Sequence, residues 1–258
     1  MSTPPEIRTV LITGATGSIG SALARCYAAP GVSLYLQGRK TDLLALLGGQ
    51  CEASGARAQT AAFDLRERDQ LSQWLKKVCE QNLPDLIIVN AGINIHGGPE
   101  NMGENWHDVE ALLEVNIRAA LATVNGVLPA MRQRGHGQIA LISSLAAYHG
   151  LPMTPSYCAS KAALKAYGEG LRCWLAAEGI KVNVVMPGYV ESQMCDDMPG
   201  PKPFLWSPEK AADAIKRGLA ANKARISFPF PLNLGTWFLA VLPAALSQRL
   251  LRLFGYAI

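Results

Sequence analysis

Apolar residues follow two rhythms along this chain. Short runs rich in β-branched and aliphatic residues have strand length: Ile7 to Thr13, Val32 to Leu36, Arg57 to Phe63, Leu86 to Asn90, Gln138 to Ser143, Lys181 to Met186 and Arg225 to Phe228. Longer stretches with helical spacing separate most of them, among them Ser18 to Ala29, Thr41 to Ser54, Trp106 to Gln133 and Ser156 to Glu178, with another helix starting near Pro208. Strand and helix in alternation predict an α/β fold, a doubly wound parallel sheet of about seven strands with helices on both faces. No internal repeat and no Gly/Ser/Pro linker splits the chain, so a single domain is expected. Such a sheet takes its ligand beyond the carboxyl ends of its strands, where the strand order reverses.

The first strand runs into Thr13-Gly14-Ala15-Thr16-Gly17-Ser18-Ile19-Gly20. Glycines let the backbone turn sharply and approach a pyrophosphate, and the helix that follows points free N–H groups at the negative charge. The same pattern also suits a plain tight turn; its place after a first strand and before a helix favours the phosphate cradle. The second strand ends in Leu36-Gln37-Gly38-Arg39-Lys40, with no acid to bond the two ribose hydroxyls of NAD. The planar guanidinium of Arg39 suits a phosphate instead, so NADP(H) is preferred over NAD(H). A solvated Arg-Lys pair at a strand end is the plainer alternative.

Tyr157 and Lys161 lie four apart in Ser156-Tyr157-Cys158-Ala159-Ser160-Lys161 and share one helix face. A phenol near its ordinary pKa of about 10 is a poor acid-base catalyst at neutral pH, and an ammonium beside it is expected to lower that value. Ser144, at the end of the strand before, offers a hydroxyl for a carbonyl oxygen while the tyrosine supplies a proton. Each of these parts alone is commonplace.

Together they give the chain its resemblance to the short-chain dehydrogenase/reductase family, in its compact single-domain branch, from about Thr9 to Ser192. The matching stretches are TGATGSIG, Asp64-Leu65, Asn90-Ala91-Gly92, Asn116, ISS ending at Ser144, YCASK and Pro187-Gly188-Tyr189-Val190-Glu191-Ser192. The resemblance implies a Rossmann fold and an oxidoreductase. It makes Tyr157 the general acid of reduction, or the base of oxidation. Lys161 would lower the tyrosine pKa and hold the nicotinamide ribose, Ser144 would orient the carbonyl, and Asn116 would hold a water in a proton relay through Lys161. For the cofactor it implies Gly14, Thr16, Gly17, Ser18, Ile19 and Gly20 around the phosphates, and Asp64 and Leu65 at the adenine. Asn90 and Gly92 would line the groove, and Pro187, Val190 and Ser192 would grip the carboxamide. Two departures stand out: Ser18 occupies the place where the compact branch has its middle glycine, and Ser192 stands for the usual threonine.

Composition narrows the remaining classes. With 258 residues, 49% hydrophobic and 17% charged, the chain is long and apolar enough for a large core. A net charge of +4, spread along the sequence, points away from a nucleic-acid binder. Six cysteines form no CxxC pair, so neither a zinc site nor a disulfide framework is expected. The start, MSTPPEIRTV, has no apolar run of the secretory kind, and a cytoplasmic protein is expected.

Charge is uneven at one place. No acid follows Asp213, whereas Lys216, Arg217, Lys223, Arg225, Arg249 and Arg252 do. Between Arg225 and Arg249 lie 23 uncharged residues broken by Pro229, Pro231, Gly235 and Pro243, too interrupted for a spanning helix. Leu234 to Leu246 reads as a segment at a bilayer surface, peripheral on the inner face of a membrane, or else as an oligomer contact or lid. The expected organisation is a dinucleotide-binding and catalytic domain over residues 1–228, a substrate loop near 193–207, and an apolar, basic extension over 229–258. Met194, Met198, Phe204, Leu205 and Trp206 in that loop, with Tyr148, Leu151 and Met153, form apolar walls that suit a hydrophobic, lipid-like or ketoacyl carbonyl. Two alternatives stay open: an enzyme of the same family on a polar sugar or small alcohol, with the tail used for oligomerisation, and a non-catalytic NADP-binding scaffold. By resemblance a homodimer or homotetramer is expected, with a small-molecule partner and no metal.

Overall fold

In the computed structural model, which describes residues 7–95, 97, 103–198 and 200–256, seven parallel strands build one sheet. They are β1 (Thr9–Ile12), β2 (Ser33–Gly38), β3 (Arg57–Ala62), β4 (Leu86–Val89), β5 (Gly137–Ile142), β6 (Ile180–Pro187) and β7 (Arg225–Phe228). Their order is β3-β2-β1-β4-β5-β6-β7, so the direction of winding reverses between β1 and β4. Thr-Val-Leu-Ile in β1 and Leu-Ile-Ile-Val in β4 are buried throughout. Such continuous apolar runs are what a strand covered on both faces requires. At the edge, β3 (Arg-Ala-Gln-Thr-Ala-Ala) stays partly solvated and polar.

The strand period of two sorts side chains into two core layers. Val10 and Ile12 join Leu23, Leu36 and Ile215 beneath α1 (Ser18–Tyr27), α2 (Thr41–Ala53) and α8 (Pro208–Ala220). Leu11 points the other way, into the layer of Leu75, Val124 and Leu171 beneath α3 (Arg68–Asn82), α5 (Ala120–Arg134) and α6 (Pro155–Leu175). Each layer seals one face, which leaves the carboxyl edge of the sheet as the open side.

Three expectations shift. The helix expected over Trp106 to Gln133 is α4 (Trp106–Leu113), a six-residue π-helical turn (Glu114–Ala119) and α5. Residues 106–134 are long and apolar enough to cross a membrane, but they pack on α3 and about half of their most apolar window is buried within the protein. In the substrate loop, Gln193 to Asp196 coils into a short helix α7, because the Ser192 hydroxyl accepts a bond from Cys195 N at 3.1 Å; Pro199 of this loop lies outside the described residues. The apolar stretch Leu234 to Leu246 is two helices, α9 (Leu232–Val241) and α10 (Ala244–Leu253), parted at Pro243, where proline cannot continue a helix. Residues 1–6, at the start of the expected first domain, and 257–258, at the end of the extension, also lie outside the described residues.

Candidate active site

A cleft of about 1470 Å³ opens along the carboxyl ends of the strands, and its two halves are built differently. At one end the β1 turn is locked to the end of β4. Thr13 Oγ1 accepts bonds from Asn90 N (3.1 Å) and Ala91 N (3.2 Å). Asn90 Nδ2 donates to Thr13 O and Gly14 O at 3.1 and 3.0 Å. Gly14 has φ +63°, and a Cβ on it would stand 2.7 Å from Ala91 Cα. A Cβ on Gly20 would stand 2.3 Å from Gly14 O, so only glycine lets α1 approach its own turn. Helix α1 begins at this turn with no side-chain cap and no acid in its first turn. Its uncapped, positive end therefore borders the cleft at Ser18 and Ile19, beside Thr16 and Gly17 of the turn, a setting that fits an anion such as a pyrophosphate.

Gln37 escaped the sequence analysis. It is buried, accepts Gly14 N at 3.2 Å and donates to Phe63 O at 2.7 Å, so it fixes the turn from β2. Its signal was a polar residue closing an apolar strand. Arg39 is exposed on the cleft wall. Asp64 and Leu65 border the same end. The Asp64 carboxylate is clasped by Arg66, through Nη2 at 2.9 Å and Nε at 3.1 Å, which holds its pKa below the usual range. Among the described residues Arg39 makes no hydrogen bond or ion pair, and its positive charge adds to the lowering at Asp64.

Midway along the cleft, α6 presents Tyr157 and Lys161. Ser143 Oγ, at the end of β5, bonds Lys161 O at 2.7 Å and ties the helix to the sheet. Lys161 is 4% exposed, and its Nζ donates to Ile142 O at 3.0 Å. Burial brings its pKa down to about 8. Burial likewise pushes the Tyr157 phenol up to about 12, with the neighbouring Ser144 hydroxyl pulling the other way. This differs from the expected lowering by Lys161, whose Nζ stands 5.6 Å from the centre of the tyrosine ring and is turned to a carbonyl. The phenol therefore stays protonated at neutral pH. Ser144 leads into a 3₁₀ turn, where its Oγ accepts Ala146 N at 3.1 Å.

Asn116 does not border the cleft. It sits fully buried in the π-helical turn, and its amide is spent on Ile93, accepting from N at 2.8 Å and donating to O at 2.9 Å, and on Ser160 Oγ at 3.0 Å. Insertions of this kind commonly mark functional positions in helices. A Cβ on Gly92 would lie 3.1 Å from Lys161 Nζ and 3.3 Å from Asn116 Oδ1, so the glycine is what brings both to the end of β4. Pro187 at the end of β6 and Val190 and Ser192 beyond it border the cleft, with the Ser192 hydroxyl engaged as the cap of α7.

The far half is largely apolar, with Asp197 of the substrate loop also lining the cleft, and is built from residues distant in sequence. Met194, Met198 and Phe204 line it as expected, as does Leu151. Trp206 instead stacks on Phe228 at 4.9 Å, Leu205 and Tyr148 face elsewhere, and Met153 borders a separate small hollow. Their places are taken by the C-terminal helices, through Leu232, Phe238, Leu239, Leu250 and Phe254. Two clasps hold those helices down: His149 Nε2 with Ser247 Oγ at 3.0 Å, and Tyr189 OH to Tyr256 OH at 3.3 Å, with Tyr256 OH donating on to Pro201 O at 3.2 Å. Pairs up to 98 residues apart leave no local pattern, so sequence reading had no handle on them.

Residues 8–200 match the family model described as short chain dehydrogenase. An uncharacterized oxidoreductase of Myxococcus xanthus is 33% identical over 238 residues, covering 92% of this chain and 93% of the relative. Ketoacyl reductase HetN of Nostoc sp. is 32% identical over 217 residues, covering 82% and 75%. A solved short-chain dehydrogenase from Sphingobium yanoikuyae in complex with NADPH has the same fold, with a TM-score of 0.81 at 24% identity over 98% of this chain and 97% of that chain.

Proposed function

Since the chain belongs to the short-chain dehydrogenase/reductase family and is an oxidoreductase, we propose that it is an NADP(H)-dependent reductase of a hydrophobic carbonyl, ketoacyl-like in class. The observation that carries this is one cleft with an anion-ready helix end and an exposed Arg39 at one extreme, Tyr157 and Ser144 beside a buried Lys161 in the middle, and largely apolar walls at the other. The relation to a ketoacyl reductase supports the substrate class.

In this proposal the α1 terminus and Arg39 hold the phosphates, and Asp64 and Leu65 border the adenine. Asn90 and Gly92 line the groove, and Pro187, Val190 and Ser192 flank the nicotinamide. The cofactor, when bound, supplies the hydride. Ser144 holds the substrate carbonyl oxygen by its hydroxyl, and Tyr157 passes its proton to that oxygen as negative charge develops. A phenol with its pKa pushed up to about 12 stays protonated until a stronger base forms, which suits the reductive direction. Lys161 has used one of its three N–H bonds on Ile142 O and keeps two for a ribose. Asn116 fixes the floor through Ile93 and Ser160, and so acts here as a positioning residue.

The test is NADPH consumption with apolar ketones by the purified protein and by Tyr157→Phe. The variant should lose on the order of 10²–10⁴ in turnover and keep NADPH binding. Substantial turnover in the variant would remove Tyr157 from the mechanism.

A further inference from the structure

Helix α9 buries none of its residues fully, although its sequence, Leu-Asn-Leu-Gly-Thr-Trp-Phe-Leu-Ala-Val, is mostly apolar. Its two sides do different things. Leu232, Thr236 and Leu239, at helical spacing, are partly buried and line the cleft. Phe230, just before the helix, with Leu234, Trp237, Phe238 and Val241 forms the opposite stripe, 44–75% exposed. Leu234 and Phe238 border the cleft mouth as well, so the outer stripe runs without a break into the site. Helix α10 continues this surface: it buries Ser247 and Leu251 and shows Leu246 and Leu253 outward beside Arg249 and Arg252.

We propose that this face rests on an anionic lipid bilayer. An outward row of Trp, Phe, Val and Leu flanked by arginines is the composition of helices that lie in the headgroup region. The side chains of Arg249 and Arg252 have no hydrogen-bond or ion-pair partner among the described residues, and neither α9 nor α10 carries an acid. A two-fold contact between copies would set this face against itself and bring those arginines together without a countercharge from either helix. Lipid phosphates supply that countercharge. At ten residues α9 is about 15 Å long, half the hydrocarbon thickness, so it lies on the surface and does not span. Seated this way, the cleft mouth opens toward the bilayer, and an apolar carbonyl enters from lipid; only this last consequence rests on the proposed substrate class.

The experiment sediments the full chain with vesicles of phosphatidylcholine alone and of phosphatidylcholine with phosphatidylglycerol. The parent should pellet with the anionic vesicles and be released by salt. Arg249→Glu with Arg252→Glu should weaken binding by at least about fivefold per residue, and Trp237→Ser with Val241→Ser should abolish it, all variants melting like the parent. A parent that stays in the supernatant with both vesicles overturns the proposal. So does an anionic-vesicle pellet that the serine pair leaves unchanged, or a dimer in sedimentation velocity that the serine pair splits, which assigns the face to a second copy. Vesicle binding by a protein that shows no preference for apolar ketones would sink the substrate class and leave the docking surface standing.

Discussion

The two ends of the cleft solve the problem of binding in opposite ways. The end proposed for the nucleotide is made of backbone: a glycine turn and a bare helix terminus, pinned to each other by buried Thr13 and Gln37 and by Asn90. The end proposed for the substrate is made of side chains on short helices that bury little and are clasped by a few long-range bonds. A dinucleotide presents the same charges each time, so its seat gains from rigidity. The proposed apolar substrate would gain from surface that yields, which α9 and α10 would supply.

The contrast breaks first at Arg39. Arg39→Ala should weaken NADPH about 10- to 100-fold, the worth of a charge-assisted contact, and leave NADH within a factor of about two by titration; equal losses for both would remove the 2′-phosphate from its role. Two glycines sharpen the difference between the ends. Gly20→Ala places a methyl against a carbonyl oxygen that cannot move, costing on the order of 1–3 kcal/mol in a thermal melt and at least about tenfold in NADPH affinity. Gly235→Ala, in α9, meets nothing within 4 Å and should instead raise stability by about 0.5–1 kcal/mol while NADPH binding stays put.

Between the ends, Lys161 ties charge to stability. Its pKa is about 8 folded, against 10.5 ordinarily. From pH 8 to 10.5 the unfolded chain holds a proton that the folded one has released, so stability rises with pH across that window and carries the full burial cost below it. Lys161→Met should therefore melt higher than the parent at pH 7, by on the order of 2 kcal/mol after the lost bond to Ile142 is counted, with the gap closing toward pH 10.5. It should also be inactive. A variant that melts lower at pH 7 would mean the ammonium is stabilising where it sits.

Legibility in the sequence followed the same divide. The sheet, its seven strands and the helices over Ser18 to Ala29, Thr41 to Ser54 and Ser156 to Glu178 could be read because apolar period and turn chemistry are local. The turn from Thr13 to Gly20 and the Tyr157-Lys161 pair could be read because the residues that make up each motif lie within one turn or one helix. Asn116 was placed in a helix but not in a π turn, since six residues of inserted register leave no mark in composition. The direction of the Tyr157 shift was misjudged because burial, which decides it, is a property of the assembled cleft. The apolar walls were half right: Met194 and Phe204 line the cleft, while Trp206 went to Phe228, because which way a loop residue faces depends on a strand and helix that arrive later in the chain.

The central claim is that one rigid nucleotide seat feeds a yielding apolar channel. The most direct measurement is kcat/KM with NADPH for a series of 3-keto compounds of increasing chain length. Burial of each methylene contributes about 0.8 kcal/mol, so kcat/KM should climb by up to about fourfold per carbon until the channel is filled. A response that is flat, or that falls as carbons are added, would contradict an apolar channel and turn the search to polar carbonyls.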